Sequence, residues 1–171
     1  MGWYRLSLIP SLILLWILIE LIRDEVLPIP LPKKTIRKML KLANVNKGDV
    51  VYDLGSGDGR VVLISTKEFG TKSVGIEKNR FLVWLSRLLI KRKKLQTKIK
   101  IIHNDFFKEN LSNANVIIMY LSHKITQKLK RKFEKELKKG TRIVSASHPF
   151  DSWKEVKKIK TGHFYSYLYT I

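Results

Sequence analysis

The chain has 171 residues, with 34 Lys or Arg against 14 Asp or Glu, a formal charge of +20 and no cysteine. That length fits one core and leaves no room for a second domain of ordinary size, while the missing cysteines exclude disulfides, thiolate metal sites and a cysteine nucleophile. The charge favours anionic surroundings: lipid headgroups, nucleic acid or an acidic protein surface.

Residues 6–22 form a largely apolar run with one charge, Glu20, near its end. A helix of that length reaches about 25 Å, slightly less than the ~30 Å hydrocarbon core. Arg5 and Arg23, with Trp3 and Tyr4 at the interface, extend its reach. No small-x-small cleavage site follows, so the expectation is a membrane anchor over residues 1–23. Arg23, Lys33, Lys34, Arg37, Lys38 and Lys41 lie on its C-terminal side against Arg5 on the other, which predicts a single-pass membrane protein with the following domain cytoplasmic. Pro28, Pro30 and Pro32 mark a stiff linker over 24–34. The domain proper is expected over 35–171, opening on a helix whose Ile36, Met39, Leu40 and Ala43 share one face.

Residues 50–54 read as a buried strand that runs into Gly55-Ser56-Gly57-Asp58-Gly59 and then into a helix over 61–69, stopped by Gly70. Glycines at alternate positions let a ligand touch the backbone, and the following helix offers unpaired N–H groups. Arg60 stands where a dinucleotide fingerprint needs its third glycine, which disfavours a nicotinamide or flavin. A second strand ends in Glu77, whose carboxylate suits vicinal ribose hydroxyls. A helix over 79–94 is predicted with Phe81, Leu82, Trp84, Leu85, Leu88 and Leu89 inward, and Lys91, Arg92, Lys93 and Lys94 complement its C-terminus. The third strand, 99–103, leads into Asn104-Asp105-Phe106-Phe107, where Asp105 can accept from an adenine amino group while a phenylalanine packs on its ring.

Further strands are predicted over 115–121 and 141–147, separated by a helix with Ile125, Leu129, Phe133 and Leu137 on one face and Gly140 after it. The tail, 155–160 and 163–171 around Gly162, reads as a hairpin. Strands alternating with helices predict a doubly wound α/β sheet. His103, His123, His148 and His163 are isolated, so no metal site is expected. Gly55-Ser56-Gly57 lacks the frame of a hydrolase nucleophile elbow.

With these residues in view the chain resembles the class I, seven-stranded S-adenosylmethionine-dependent methyltransferases, which carry D-x-G-x-G-x-G, a strand-end acid and a later D-F pair. Within that class, residues 51–60, 81–87, 119–121, 136–144 and His148-Pro149-Phe150-Asp151-Ser152-Trp153 are similar to the protein-lysine methyltransferases related to archaeal lysine methyltransferase. The same blocks resemble the mitochondrial enzymes acting on the ATP synthase c-subunit and the adenine nucleotide translocase. Two departures stand out: leucine replaces a hydroxyl residue of the proline-rich segment, and Ser145 to Phe150 holds two residues more than the archaeal pattern, as the mitochondrial branch does.

The resemblance implies a Rossmann-like doubly wound sheet of seven strands with a C-terminal β-hairpin, preceded here by the N-terminal apolar helix. It implies S-adenosylmethionine as cofactor, S-adenosylhomocysteine as product and no metal. Asp53, Gly55, Ser56, Gly57, Asp58, Gly59, Glu77, Asn104, Asp105 and Phe106 are expected to bind the cofactor. Tyr120 and His148 are the catalytic candidates, and Met119, Leu121, Ser122, Pro149, Phe150 and Trp153 are expected to shape the substrate channel. The expected partners are a membrane-associated protein with an accessible lysine and an anionic membrane surface, engaged by a monomer. Nucleic-acid methylation is the alternative, which the charge suits but which an N/D-P-P-Y/F motif would normally accompany; a non-catalytic cofactor-binding adaptor is the third reading.

Overall fold

The structure, a computed structural model, describes residues 29–171 together with Ser11. Helix α1 (Lys33–Leu42) precedes strand β1 (Val50–Leu54). Helix α2 (Arg60–Phe69), strand β2 (Lys72–Glu77), helix α3 (Arg80–Arg92) and strand β3 (Ile99–His103) follow. The chain then forms β4 (Val116–Met119), α4 (His123–Glu136), β5 (Arg142–Ala146), β6 (Lys157–Lys160) and β7 (Tyr165–Thr170). The seven strands lie in the order β3-β2-β1-β4-β5-β7-β6. The first five are parallel, and β7 enters antiparallel between β5 and β6.

Strand composition explains the arrangement. Val-Ile-Ile-Met of β4 is buried throughout, as a central parallel strand covered on both faces must be. Val116 and Ile118 pack with Ile36, Met39 and Leu40 of α1 on one face; Ile117 and Met119 pack with Leu129 and Phe133 of α4 on the other. Helix α1 buries the expected face, with Ile36, Met39 and Leu40 at 0% exposure. It is pinned to the far end of the chain where Thr35 Oγ1 donates to the Thr161 carbonyl at 2.6 Å. Arg142 opens β5 by donating to the carbonyls of Ala43 and Asn44, which close α1, and to the carboxylate of Asp49.

Two expectations are corrected. Helix α3 buries Val83, Ser86 and Ile90, and Trp84 is 57% exposed. The buried stripe lies on a neighbouring face because Ser86 sits where Gly59 lets the backbone come close: a Cβ on Gly59 would stand 3.0 Å from that of Ser86. The single-pass membrane reading is also corrected, since among the described residues no helix is long and apolar enough to cross a membrane. The helices there are amphipathic, with charged residues along their solvent faces. The anchor predicted over 1–23 lies outside the described residues except for Ser11, as does the linker up to residue 28.

Candidate active site

Strand order reverses between β1 and β4, and a cleft of about 640 Å³ opens there at the carboxyl ends of the strands, as expected at a topological switch point. One wall is the glycine loop. Gly55, Gly57 and Gly59 hold φ of 76°, 53° and 78°, left-handed values that residues with a Cβ rarely tolerate. Gly55 N and Ser56 N both donate to the Ile76 carbonyl, at 2.9 and 3.1 Å, which binds the loop to β2. Glu77, at the end of β2, closes the same corner. Its two oxygens accept from Gly57 N at 2.8 Å and Asn79 N at 2.9 Å, fixing the carboxylate while each oxygen keeps a second lone pair.

Ser56 is 4% exposed, and its Oγ has no hydrogen-bond partner although it lies in the cleft wall. A buried hydroxyl left unpaired is costly, and this one is turned away from the cleft toward β2. Gly75 makes room for it: a Cβ there would stand 2.7 Å from Ser56 Oγ.

Acidic groups converge on the same side. Asp53 is buried, and burial, then the charges of Glu77 and Asp58, push its carboxyl up to about 8. Burial also pushes Asp58 up, but the Arg60 guanidinium more than offsets this and holds it below the usual carboxylate range. Arg60 Nε lies 2.9 Å from Asp58 Oδ1 and Nη2 lies 2.7 Å from Oδ2, while Nη1 donates to the Leu31 carbonyl at 3.0 Å. The proline-rich stretch is thereby laid along the cleft, where Ile29, Pro30 and Leu31 form part of the wall. At the third strand end, Asp105 Oδ1 accepts from Phe107 N at 2.8 Å and Asn104 Nδ2 donates to Glu109. Asn104, Asp105, Phe106 and Phe107 all line the cleft.

The opposite side is formed by Tyr120, Leu121, Ser122, Ile125 and His148. His148 is held by local strain. His148 N donates to the Ala146 carbonyl at 2.9 Å across Ser147, whose φ is 71°, a tight γ-turn of the disfavoured hand. Ser145 Oγ then donates to the His148 carbonyl at 2.6 Å.

The cleft thus gathers Asp53, Gly55, Ser56, Gly57, Asp58, Glu77, Asn104, Asp105, Phe106, Tyr120, Leu121, Ser122 and His148. It does not gather Gly59, Met119, Pro149, Phe150 or Trp153. Gly59 caps α2 and packs on α3. Met119 alternates into the core beneath α4 at 0% exposure. Phe150 is 2% exposed in an aromatic cluster with Phe133, Trp153 and Tyr169, and Pro149 offers its carbonyl to Gln127 Nε2. Those aromatic rings meet each other because β7 brings Tyr169 under the loop, a contact no local pattern announces. The sequence reading missed Arg60 as a cleft residue and Gly75 as the space behind the glycine loop; the signals were an arginine directly after that loop and a glycine inside an apolar strand. Among the described residues no group of three or more His, Asp or Glu side chains is placed to hold a metal.

Comparison with known proteins agrees with this geometry. A structure described as an RNA methyltransferase from Salinibacter ruber, in complex with S-adenosyl-L-homocysteine, superposes with a TM-score of 0.82 at 34% identity, covering 84% of this chain and 94% of that one. A methyltransferase from Thiobacillus denitrificans shares the fold at a TM-score of 0.63 and 16% identity, covering 76% and 54%. Fold and cleft therefore define a class I, S-adenosylmethionine-dependent methyltransferase. Residues 53–157 match the family model described as the ANTKMT methyltransferase domain, and the chain belongs to that family. A protein-lysine N-methyltransferase of Saccharolobus islandicus is 38% identical over 84% of this chain and 92% of its own length. The human lysine N-methyltransferase of the ATP synthase c-subunit is 32% identical over 77% of this chain and 56% of its own.

Proposed function

We propose that this protein methylates the ε-amine of lysine in a protein substrate. The observation that carries the reading is the acceptor side of the cleft, a largely apolar wall of Tyr120, Leu121 and Ile125 with His148 beside it, suited to an alkyl amine. The names of the archaeal and mitochondrial relatives support the same substrate class.

In this reading Glu77 accepts from the ribose hydroxyls, Asp105 and Phe106 hold the adenine, and Asp53, Ser56 and the backbone of 55–57 take the methionine end. Bound there, S-adenosylmethionine supplies an electrophilic methyl group. The amine nitrogen needs a free lone pair, and lysine is ordinarily protonated, with a pKa near 10.4. The aliphatic side chains of Leu121 and Ile125 disfavour its charged form at the reacting position. His148, whose backbone is fixed by the Ser147 turn, receives the proton, and Tyr120 aligns the amine. The +20 charge suits a target lysine beside acidic groups or an anionic surface such as lipid headgroups.

Nucleic-acid methylation is the second reading, favoured by the description of the Salinibacter structure. Incubation of the purified protein with methyl-tritiated S-adenosylmethionine and host extract separates the two. Protease should destroy the labelled product and acid hydrolysis should release methylated lysine. Label that resists protease and yields to nuclease would overturn the proposal.

A further inference from the structure

We infer that Phe164, in the turn between β6 and β7, is a positioning residue of the acceptor site: it clamps the Tyr120 ring so that its face bounds the place of a methylated ammonium. The inference rests on the protein-lysine reading. Tyr120 follows the last residue of β4, lines the cleft and is half-buried. Its ring stacks on that of Phe164 with centroids 5.4 Å apart and planes 14° from parallel. Phe164 in turn packs against the core that holds Ile36, Met39 and Leu40, so it has little freedom to swing.

The turn is tied down from three sides. Thr161 N donates to the Phe164 carbonyl at 3.0 Å, Thr161 Oγ1 lies 2.7 Å from Ser166 Oγ, and Thr35 of α1 donates to the Thr161 carbonyl at 2.6 Å. The same hairpin also steadies the neighbouring histidine, because Ser147 N, at the centre of the strained turn before His148, donates to the Tyr165 carbonyl at 2.9 Å. One hairpin end therefore supports both the aromatic wall and the histidine.

The chemistry explains what a held ring accomplishes. In each transfer the amine lone pair forms the N–C bond, the C–S bond breaks with its electron pair going to sulfur, and a proton leaves the nitrogen. Mono- and dimethylated amines remain basic and re-protonate in neutral water. A fixed aromatic face attracts such a cation, keeping it in place for the next round. Phe164 thus governs how far methylation proceeds more than whether it begins.

The test uses the full chain with S-adenosylmethionine and a lysine peptide flanked by glutamates, and quantifies mono-, di- and trimethyllysine after acid hydrolysis. At matched turnover, Phe164→Ala and Phe164→Leu should lower the ratio of higher methylated to monomethylated lysine by about two- to fivefold. Phe164→Tyr should restore it, with the KM for S-adenosylmethionine unchanged in all three. Phe164→Leu keeps apolar bulk in the turn, so a ratio unchanged in that variant overturns the inference, as does failure of Phe164→Tyr to restore it. A second measurement needs no turnover: tetramethylammonium chloride is titrated in the presence of S-adenosylhomocysteine while the Tyr120 ring resonances are followed by NMR, assigned through Tyr120→Phe. A saturable shift, weakened in Phe164→Leu, is expected; no shift in the unsubstituted protein overturns the wall. If neither the acidic lysine peptide nor extract proteins acquire methyl groups, the lysine reading fails, and the titration still decides whether Tyr120 receives quaternary ammonium.

Discussion

Asp53 is held in a state that water would not favour. Its carboxyl is raised to about 8 by burial and by the neighbouring Glu77 and Asp58 charges, so near neutrality it is largely protonated. A carboxyl whose folded pKa exceeds its unfolded value stabilises the fold fully below the unfolded value, near 4, and loses that contribution as pH rises through the folded one. Thermal melts of the ligand-free protein between about pH 5 and 8 should therefore decline more steeply than those of Asp53→Asn, by up to about 1.4 kcal/mol per pH unit. Equal slopes would show that Asp53 is ionised across that range. Glu77 poses a simpler question, because both oxygens are already fixed by backbone N–H groups. Calorimetry with S-adenosylhomocysteine should find Glu77→Ala weaker by about 1.5–3 kcal/mol, the range of a hydrogen bond to a charged group. Unchanged affinity would remove Glu77 from the site.

Between elements, the decisive feature is close approach. Gly75 sits in β2 directly behind the glycine loop, and an added Cβ would meet Ser56 Oγ at 2.7 Å and Ile101 Cδ1 at 2.8 Å. Gly75→Ala should cost about 1–3 kcal/mol of stability in urea melts, the usual range for overpacking, and should weaken S-adenosylhomocysteine binding because Ser56 must shift. A variant with unchanged affinity would show that the loop absorbs the methyl group without moving its ligand face. Helix α3 obeys the same constraint. Its leucines and Trp84 suggested the inward face, yet the helix buries Ser86 and leaves Trp84 exposed, since contact with Gly59 rewards a small residue over an apolar one. Hydropathy locates a helix well; which stripe faces inward depends on the shape of what it meets.

Across the whole molecule, +20 of formal charge surrounds a cleft with one acidic wall, formed by Asp53, Asp58, Glu77 and Asp105. The two fields should respond differently to salt. Raising ionic strength from about 50 to about 500 mM shortens the screening length from roughly 14 to 4 Å, so the KM for the labelled macromolecular target should rise several-fold. S-adenosylhomocysteine affinity should change less, because the carboxylates and backbone N–H groups proposed to hold it are partly buried in the cleft. A target KM indifferent to salt would make the charge incidental to recognition.

Local and periodic features were legible along the chain alone. The glycine loop, Glu77 and the Asp105-Phe106 pair could be read because close ligand approach and strand-end carboxylates leave short signatures at fixed spacing, and alternating strands and helices declared the doubly wound sheet. Whatever depends on elements distant in the chain was settled by folding. Met119, Phe150 and Trp153 read as channel residues but lie in the core or its aromatic cluster: α4 covers Met119, and β7 returns antiparallel beside β5 and carries Tyr169 against Phe150 and Trp153. The same return brings Phe164 onto Tyr120 and ties the His148 turn to Tyr165. Spacing along a chain records which face a side chain shares with its neighbours; only the packing of remote strands records what that face will touch.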